Sequence, residues 1–196
     1  MMPNMKHKHW VTFGSVMLVA WVLGSFAFLY FYPHIIYNAF QKGIVQNGLG
    51  GGPIPVNTLY AVPNLASPSV ATSSNLLTTG ANHDTLYVAG WLDLSQGPQV
   101  LHVPDMAGRY YSVQFTDPSD GTDFAYVGTR ATGTQAGDYL VSGPDWKGTA
   151  PPVMKQISSP DNSVLVIGRV LVASDSDTPA AYNLAKQIQL TPLSQK

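Results

Sequence analysis

Four aspartates, Asp84, Asp93, Asp105 and Asp117, fall within one stretch of the chain beside Arg109, with Arg130 a little further on. Paired carboxylates can pass a proton as general acid and base, and a guanidinium can grip an anionic group through two parallel N–H bonds. The same stretch carries Asn82, Tyr87, Trp91, Tyr110, Tyr111 and Trp146, which add hydrogen-bonding and stacking groups. Together these residues are the candidate pocket or partner-binding set. A plainer use competes with it. Aspartate at a strand end accepts bonds from nearby backbone amides, arginine ties loops down through ion pairs, and such networks imitate active sites. That architectural use is the favoured reading, so no residue is given a catalytic role. Arg109 and Arg130 are expected to hold polar turns against nearby aspartates.

The aromatic residues divide in the same way. Neighbours on a strand point to opposite faces, so one of Tyr110 and Tyr111 must pack inward while the other is free to face a pocket or partner, and Tyr87 and Val88 must diverge likewise. Trp91 and Trp146 are read as core or rim residues, because an indole buries a large area and needs one polar partner. A ligand-stacking wall is the alternative.

Other chemistries find fewer of the residues they need. The chain has no cysteine, which removes thiol nucleophiles, disulfides and cysteine-based zinc sites. Within the candidate domain only His83 and His102 could ligate a metal, and they are not at ligand spacing, so no metal is expected. There is no G-x-S-x-G and no Walker-type loop. The glycines of GTRATGTQAG sit in a β context without a following helix, so they make a turn-rich connection rather than a phosphate cradle. No cofactor is implied.

Composition bears on partners. Charged residues make up 11% of the 196 residues while apolar ones make up 45%, a deficit of charge that points to a membrane or a large protein partner. All eleven acidic residues are aspartate, which favours turns and caps over helix interiors and suits a loop-rich β fold. The net charge is −1 and the basic residues beyond Lys8 are scattered, so nucleic acid is not an expected partner.

The elements that position these residues follow in order. Residues 1–9 hold Lys6 and Lys8, and residues 10–32 run from Trp10 to Tyr32 without a charge. About 20 apolar residues cross a bilayer, so 10–32 is read as a transmembrane helix in contact with membrane lipid. The lysines before it place the N-terminus in the cytoplasm and the remainder outside. Bulky FAFLYFYPH stands where a cleavage site would need small residues, so the helix is read as a retained anchor. Pro33 is expected to kink or break it. Residues 33–56 then read as an interfacial segment and a Gly/Pro linker, and 57–81 as an extended arm.

From Asn82 the apolar period becomes two. Strands are expected at 86–92, 100–103, 110–117, 124–128, 139–142, 153–157 and 164–173, separated by Gly, Pro and Asp turn signals. The pattern predicts an all-β, antiparallel β-sandwich or jelly-roll-like domain over 82–196. One C-terminal helix, capped at Asp177 or Thr178, should close it with Ala180, Leu184 and Ile188, extended by Ala181 and Gln187, on its apolar face.

Several ordered motifs carry a family resemblance: NHDTLY at Asn82–Tyr87, WLDL at Trp91–Leu94, VPDxxGRYY at Val103–Tyr111, GxRxTGxxxGxY at Gly128–Tyr139, GPxWKG at Gly143–Gly148 and LTPL at Leu190–Leu193. The chain resembles the bacterial domain of unknown function 1254 family over residues 82–193. The resemblance implies a jelly-roll-like sandwich in envelope proteins, here on the periplasmic side of an inner membrane, with no established general reaction. Longer relatives continue into a companion domain of unknown function 1214, whereas this sequence ends after Leu193. The expectation is therefore an accessory or structural subunit that binds a second membrane or envelope protein, one carrying the companion domain being the first choice. The alternative is an envelope enzyme or small-ligand binder with an Asp/Arg/Tyr/Trp pocket at one end of the sandwich. Interaction leads, because no catalytic constellation satisfies both residue type and spacing.

Overall fold

The computed structural model describes residues 5–65 and 82–193. Most of the expected arm, 66–81, lies outside the described residues. Nine strands occur among those described: β1 (Thr58–Ala61), β2 (Thr85–Asp93), β3 (Gln99–Val103), β4 (Tyr111–Thr116), β5 (Asp123–Gly128), β6 (Gly137–Ser142), β7 (Lys155–Ser158), β8 (Ser163–Leu171) and β9 (Gln189–Pro192). They form a five-stranded sheet ordered β1-β2-β8-β4-β5 and a four-stranded sheet ordered β7-β6-β3-β9. The expected sandwich architecture is consistent with this arrangement. Pairings are antiparallel except that β7 runs parallel to β6, so the smaller sheet is mixed where an antiparallel one was expected.

Period-two alternation builds the main core. Leu86, Val88 and Leu92 of β2, Val113 and Phe115 of β4, and Val164, Val166 and Val170 of β8 turn inward from the larger sheet. Leu101, Val103, Tyr139 and Val141 meet them from the smaller one. Helix α2 (Thr178–Ala185) closes this core with Ala181 and Ala185, and Ile188 follows it. Of the expected apolar face Ala181 and Ile188 are buried, while Leu184 is half-buried and Ala180 and Gln187 are exposed. The helix also ends sooner than expected, because the chain leaves it to make β9 beside β3.

Every residue from Thr85 to Leu92 is buried, so the outward face of β2 must be covered as well. The cover is the end of the N-terminal helix. Of the kink or break expected at Pro33, no break occurs: helix α1 (Met5–Lys42) continues through it. A wider turn over Gly43–Asn47 follows, closed by Gly48, whose amide donates to the carbonyls of Gly43 and Ile44. Gly48 has φ of 72°, and a Cβ there would fall 1.6 Å from the carbonyl oxygen of Gly52, so the return of the chain demands glycine. That return lets Ile44 and Ile54 pack on Trp91 and Leu165, with Tyr37, Phe40 and Tyr60 around them. The Gly/Pro stretch expected as a linker is thus partly a packed layer on the sheet.

The other half of α1 behaves differently. From Phe13 to Tyr32 its large apolar side chains are exposed, Trp21 at 71% and Leu29 at 68% among them. One N-terminal helix is long and apolar enough to span a membrane.

Candidate functional site

The uncovered part of the larger sheet's outer face is where the sequence leaves polar and aromatic groups together. Register aligns Tyr87 of β2 with Arg169 of β8, Arg169 with Ser112 of β4, and Ser112 with Gly128 of β5. The next row aligns Ala89, Ile167, Gln114 and Tyr126. Residues in one row of a sheet are near neighbours, so these side chains share a surface. A cavity of about 400 Å³ opens there, lined by Tyr110, Ser112, Gln114, Tyr126, Arg130 and Arg169 among others. Its volume falls within the range of small-molecule sites.

The two guanidiniums lie over tyrosine rings rather than in ion pairs. Arg130 lies over the Tyr110 ring at 5.7 Å from its centroid, and Arg169 lies over the Tyr87 ring at 5.5 Å. Such contacts stabilise by about 0.5–1 kcal/mol at exposed positions and leave the N–H edges of the guanidinium free to donate. The ion pairs found among the described residues are His102–Asp138 and Arg109–Asp177, so neither Arg130 nor Arg169 has a carboxylate partner there. The nearby carboxylate of Asp123 accepts from Thr116 Oγ1 at 2.6 Å, from Gln114 Nε2 at 3.3 Å and from the Tyr126 hydroxyl at 2.6 Å. That last bond, more than burial, holds the Tyr126 phenol above its usual pKa.

Most of the expected aspartates prove to be turn-makers. Asp93, Asp105 and Asp117 each accept from the backbone amide two residues on, at Ser95, Ala107 and Ser119, over 2.7–2.9 Å. Asp84 is exposed, and its backbone carbonyl accepts from the Val172 amide. Asn82 caps the start of β2 by accepting from the Thr85 amide and hydroxyl. Arg109 donates to Leu171 O at 2.6 Å and makes a two-pronged pair with Asp177, whose carboxyl is held down at about 2, chiefly by that bond. Its partner is therefore a residue outside the candidate set, from the entry to α2. Arg130 departs from the expectation that it binds an aspartate.

The aromatic residues are placed as alternation requires. Tyr111 is fully buried in the main core and burial pushes its pKa up, while Tyr110 faces the cavity under Arg130. Val88 turns inward and Tyr87 outward. Trp91 is 1% exposed and donates from Nε1 to Ser163 Oγ at 2.7 Å, so it is the structural indole with one polar partner. Trp146 is half-buried with its ring against Gly148, where a Cβ would fall 2.4 Å from it. Of the candidate set, then, Tyr110, Tyr111 and Arg130 border the cavity and Tyr87 underlies it, while the others hold turns, loops or the sheet face under α1.

Arg169 is the residue that sequence reasoning passed over. Its signal was a lone charge in VLVIGRVLVA, in phase with Leu165 and Ile167, hence outward on a strand whose other phase is core. Among the described residues no group of three or more histidines and carboxylates is placed to hold a metal.

Comparison with known proteins adds a family and a fold. The family described as protein of unknown function, DUF1254, matches residues 56–192. The structure is similar to the crystal structure of the VPA0106 protein from Vibrio parahaemolyticus, with a TM-score of 0.67 and 27% identity over 86% of this chain and 37% of that one. It is also similar to an uncharacterized protein from Burkholderia cenocepacia, with a TM-score of 0.39 and 15% identity over 61% of this chain and 32% of that one. This chain therefore spans well under half the length of either solved relative. No curated protein matches it.

Proposed function

This chain belongs to the DUF1254 family of proteins of unknown function, and from that premise we propose that it works as a membrane-anchored, extracytoplasmic interaction domain, an accessory subunit that binds a second membrane or envelope protein. The observation that carries the reading is the division of α1. From Phe13 to Tyr32 its large apolar side chains are exposed, and Phe40 near its end, with Ile44 of the turn that follows, packs on the domain's own sheet. An anchor joined to its domain in this way, rather than by a loose tether, sets the height and tilt of the sandwich above the bilayer. Confinement to one plane with a partner raises their effective concentration, so a modest interface suffices. A protein carrying the companion domain of unknown function 1214 is the partner we propose first, on the strength of the family resemblance alone.

Topology and association test this together. A phosphatase fused after Lys196 should be active, and extraction of native membranes in mild detergent should bring down a defined complex that in-membrane crosslinking reproduces. An inactive phosphatase beside an active cytoplasmic reporter, or a mature N-terminus beyond Phe31, would remove the retained, N-in anchor. Repeated recovery of the chain alone would remove the interaction role.

A second reading, small-ligand binding, has one specific observation in its favour: the cavity between Tyr110 and Arg169.

A further inference from the structure

Resting on the ligand-binding reading, we propose that this cavity binds a small organic anion with an apolar body, its charge held between Arg130 and Arg169. The argument begins with what the two arginines lack. A guanidinium pairs most strongly with a carboxylate, yet among the described residues neither arginine is ion-paired. The carboxylate of Asp123, further along the sheet, is engaged by Thr116, Gln114 and Tyr126. Both guanidiniums are backed by tyrosine rings from neighbouring elements, Tyr110 and Tyr87. A guanidinium carries five N–H donors in a fork that matches a planar carboxylate, and a ring against one side of it does not consume them.

The rest of the lining selects for more than charge. Tyr110, Tyr126 and the strand surface give the cavity an apolar wall, and about 400 Å³ is more than a bare inorganic anion fills. An aromatic or aliphatic carboxylate would place its head between the arginines and its body against the tyrosines.

Position in the fold decides between two sources of such an anion. Ser163, at the start of β8, sits in the crevice beside His34 and Asn38 of α1, at the end of the sheet where the helix arrives. Arg169 lies six residues further along the same strand, which is roughly 20 Å at 3.3 Å per residue. The cavity is thus at the end of the sheet remote from the helix's arrival, which favours a soluble anion over the headgroups of the anchoring bilayer.

The test uses the full chain in nanodiscs of zwitterionic lipid, with ligand-observed NMR and calorimetry. The probes are phenylacetate and hexanoate, their uncharged amides, and inorganic phosphate. The carboxylates should bind at least tenfold more tightly than the amides. Arg130→Met and Arg169→Met, each checked for an unchanged melting temperature, should weaken carboxylate binding at least tenfold, and Arg169→Lys should recover part of the loss. Equal binding of amides and carboxylates would overturn the anion inference while leaving the ligand-binding reading standing. Binding of no probe would remove both. Phosphate binding as tightly as phenylacetate would overturn the apolar body, and loss of phenylacetate affinity on adding anionic lipid to the nanodiscs would overturn the soluble source.

Discussion

Asp177 stands at the N-cap position of α2, yet its carboxylate serves the chain before it: Oδ1 accepts from Arg109 Nη2 at 2.7 Å and Oδ2 accepts from the Ala173 amide at 2.8 Å. Arg109 also donates to the Leu171 carbonyl. One pair therefore fastens three segments: the β3–β4 connection, the end of β8 and the entry to α2.

Because that carboxyl is held down at about 2, chiefly by Arg109 and then by the Ala173 amide, the bond links folding to protons. A carboxylate with a lowered folded pKa contributes stability that is present above the ordinary value near 3.9 and lost as pH falls toward the folded one. Asp177→Asn should therefore lower the melting temperature by several degrees at pH 6, and the gap from the wild type should close between about pH 4 and pH 2. Arg109→Met should show a similar loss at pH 6. A pH-independent gap, followed by circular dichroism, would mean that the ion pair is not its source.

The seat of α1 on the sheet depends on Ile44, 2% exposed against Trp91, Leu165 and Ile54. Ile44→Ala should destabilise that contact by roughly 2–5 kcal/mol, the usual range for a buried isoleucine truncation. Hydrogen exchange at Tyr60 and Trp91 should accelerate while the main core around Phe115 stays protected. Uniform loss of protection would show that the helix end and the sandwich unfold as one unit.

Strand β1 lies close against β2 at Gly90, where a Cβ would fall 2.1 Å from the carbonyl oxygen of Thr58. Backbone cannot give way as a flexible side chain can. Gly90→Ala should therefore lower the unfolding free energy by roughly 1–3 kcal/mol, as overpacking does. Its first effect should be loss of exchange protection across the pairing of Leu59 and Gly90. Unchanged protection there would mean that β1 shifts without detaching.

These positions show what the sequence could and could not disclose. Leu86, Val88 and Leu92 announce an inner face by their spacing, and Asp93, Asp105 and Asp117 announce turns, since both signals act over a few residues. Strands β1 and β9 gave no such signal. TLYA is four residues in a Gly- and Pro-rich neighbourhood, and QLTP carries a proline tolerable only at an edge. The Gly/Pro segment looked like a linker because glycine has no periodicity, although Gly48 is what brings Ile54 back to the sheet. Arg109 was singled out with its partner unseen, because Asp177 is 68 residues away and only the folded chain joins them. For the cavity, Tyr110 and Arg130 were visible in two of the ordered motifs, but Arg169 reached it only through the register of β8 against β4.

The proposed anchor, a helix long and apolar enough to span a membrane that then docks on the domain it carries, should orient that domain, and the absence of cysteine makes this measurable with single labels. Ser119 lies in the loop beside the crevice of His34 and Tyr37, where α1 meets the sheet. Gln135 is exposed in the connection between β5 and β6, at the opposite end of the larger sheet. In the full chain in nanodiscs, a fluorophore on Ser119→Cys should be quenched strongly by lipid carrying a headgroup-depth nitroxide. One on Gln135→Cys should be quenched several-fold less. Ile44→Ala should bring the two values together by freeing the sandwich to tumble on its anchor. Equal quenching in the unmutated protein would mean that the contact with the sheet does not set orientation, leaving the helix as a tether alone.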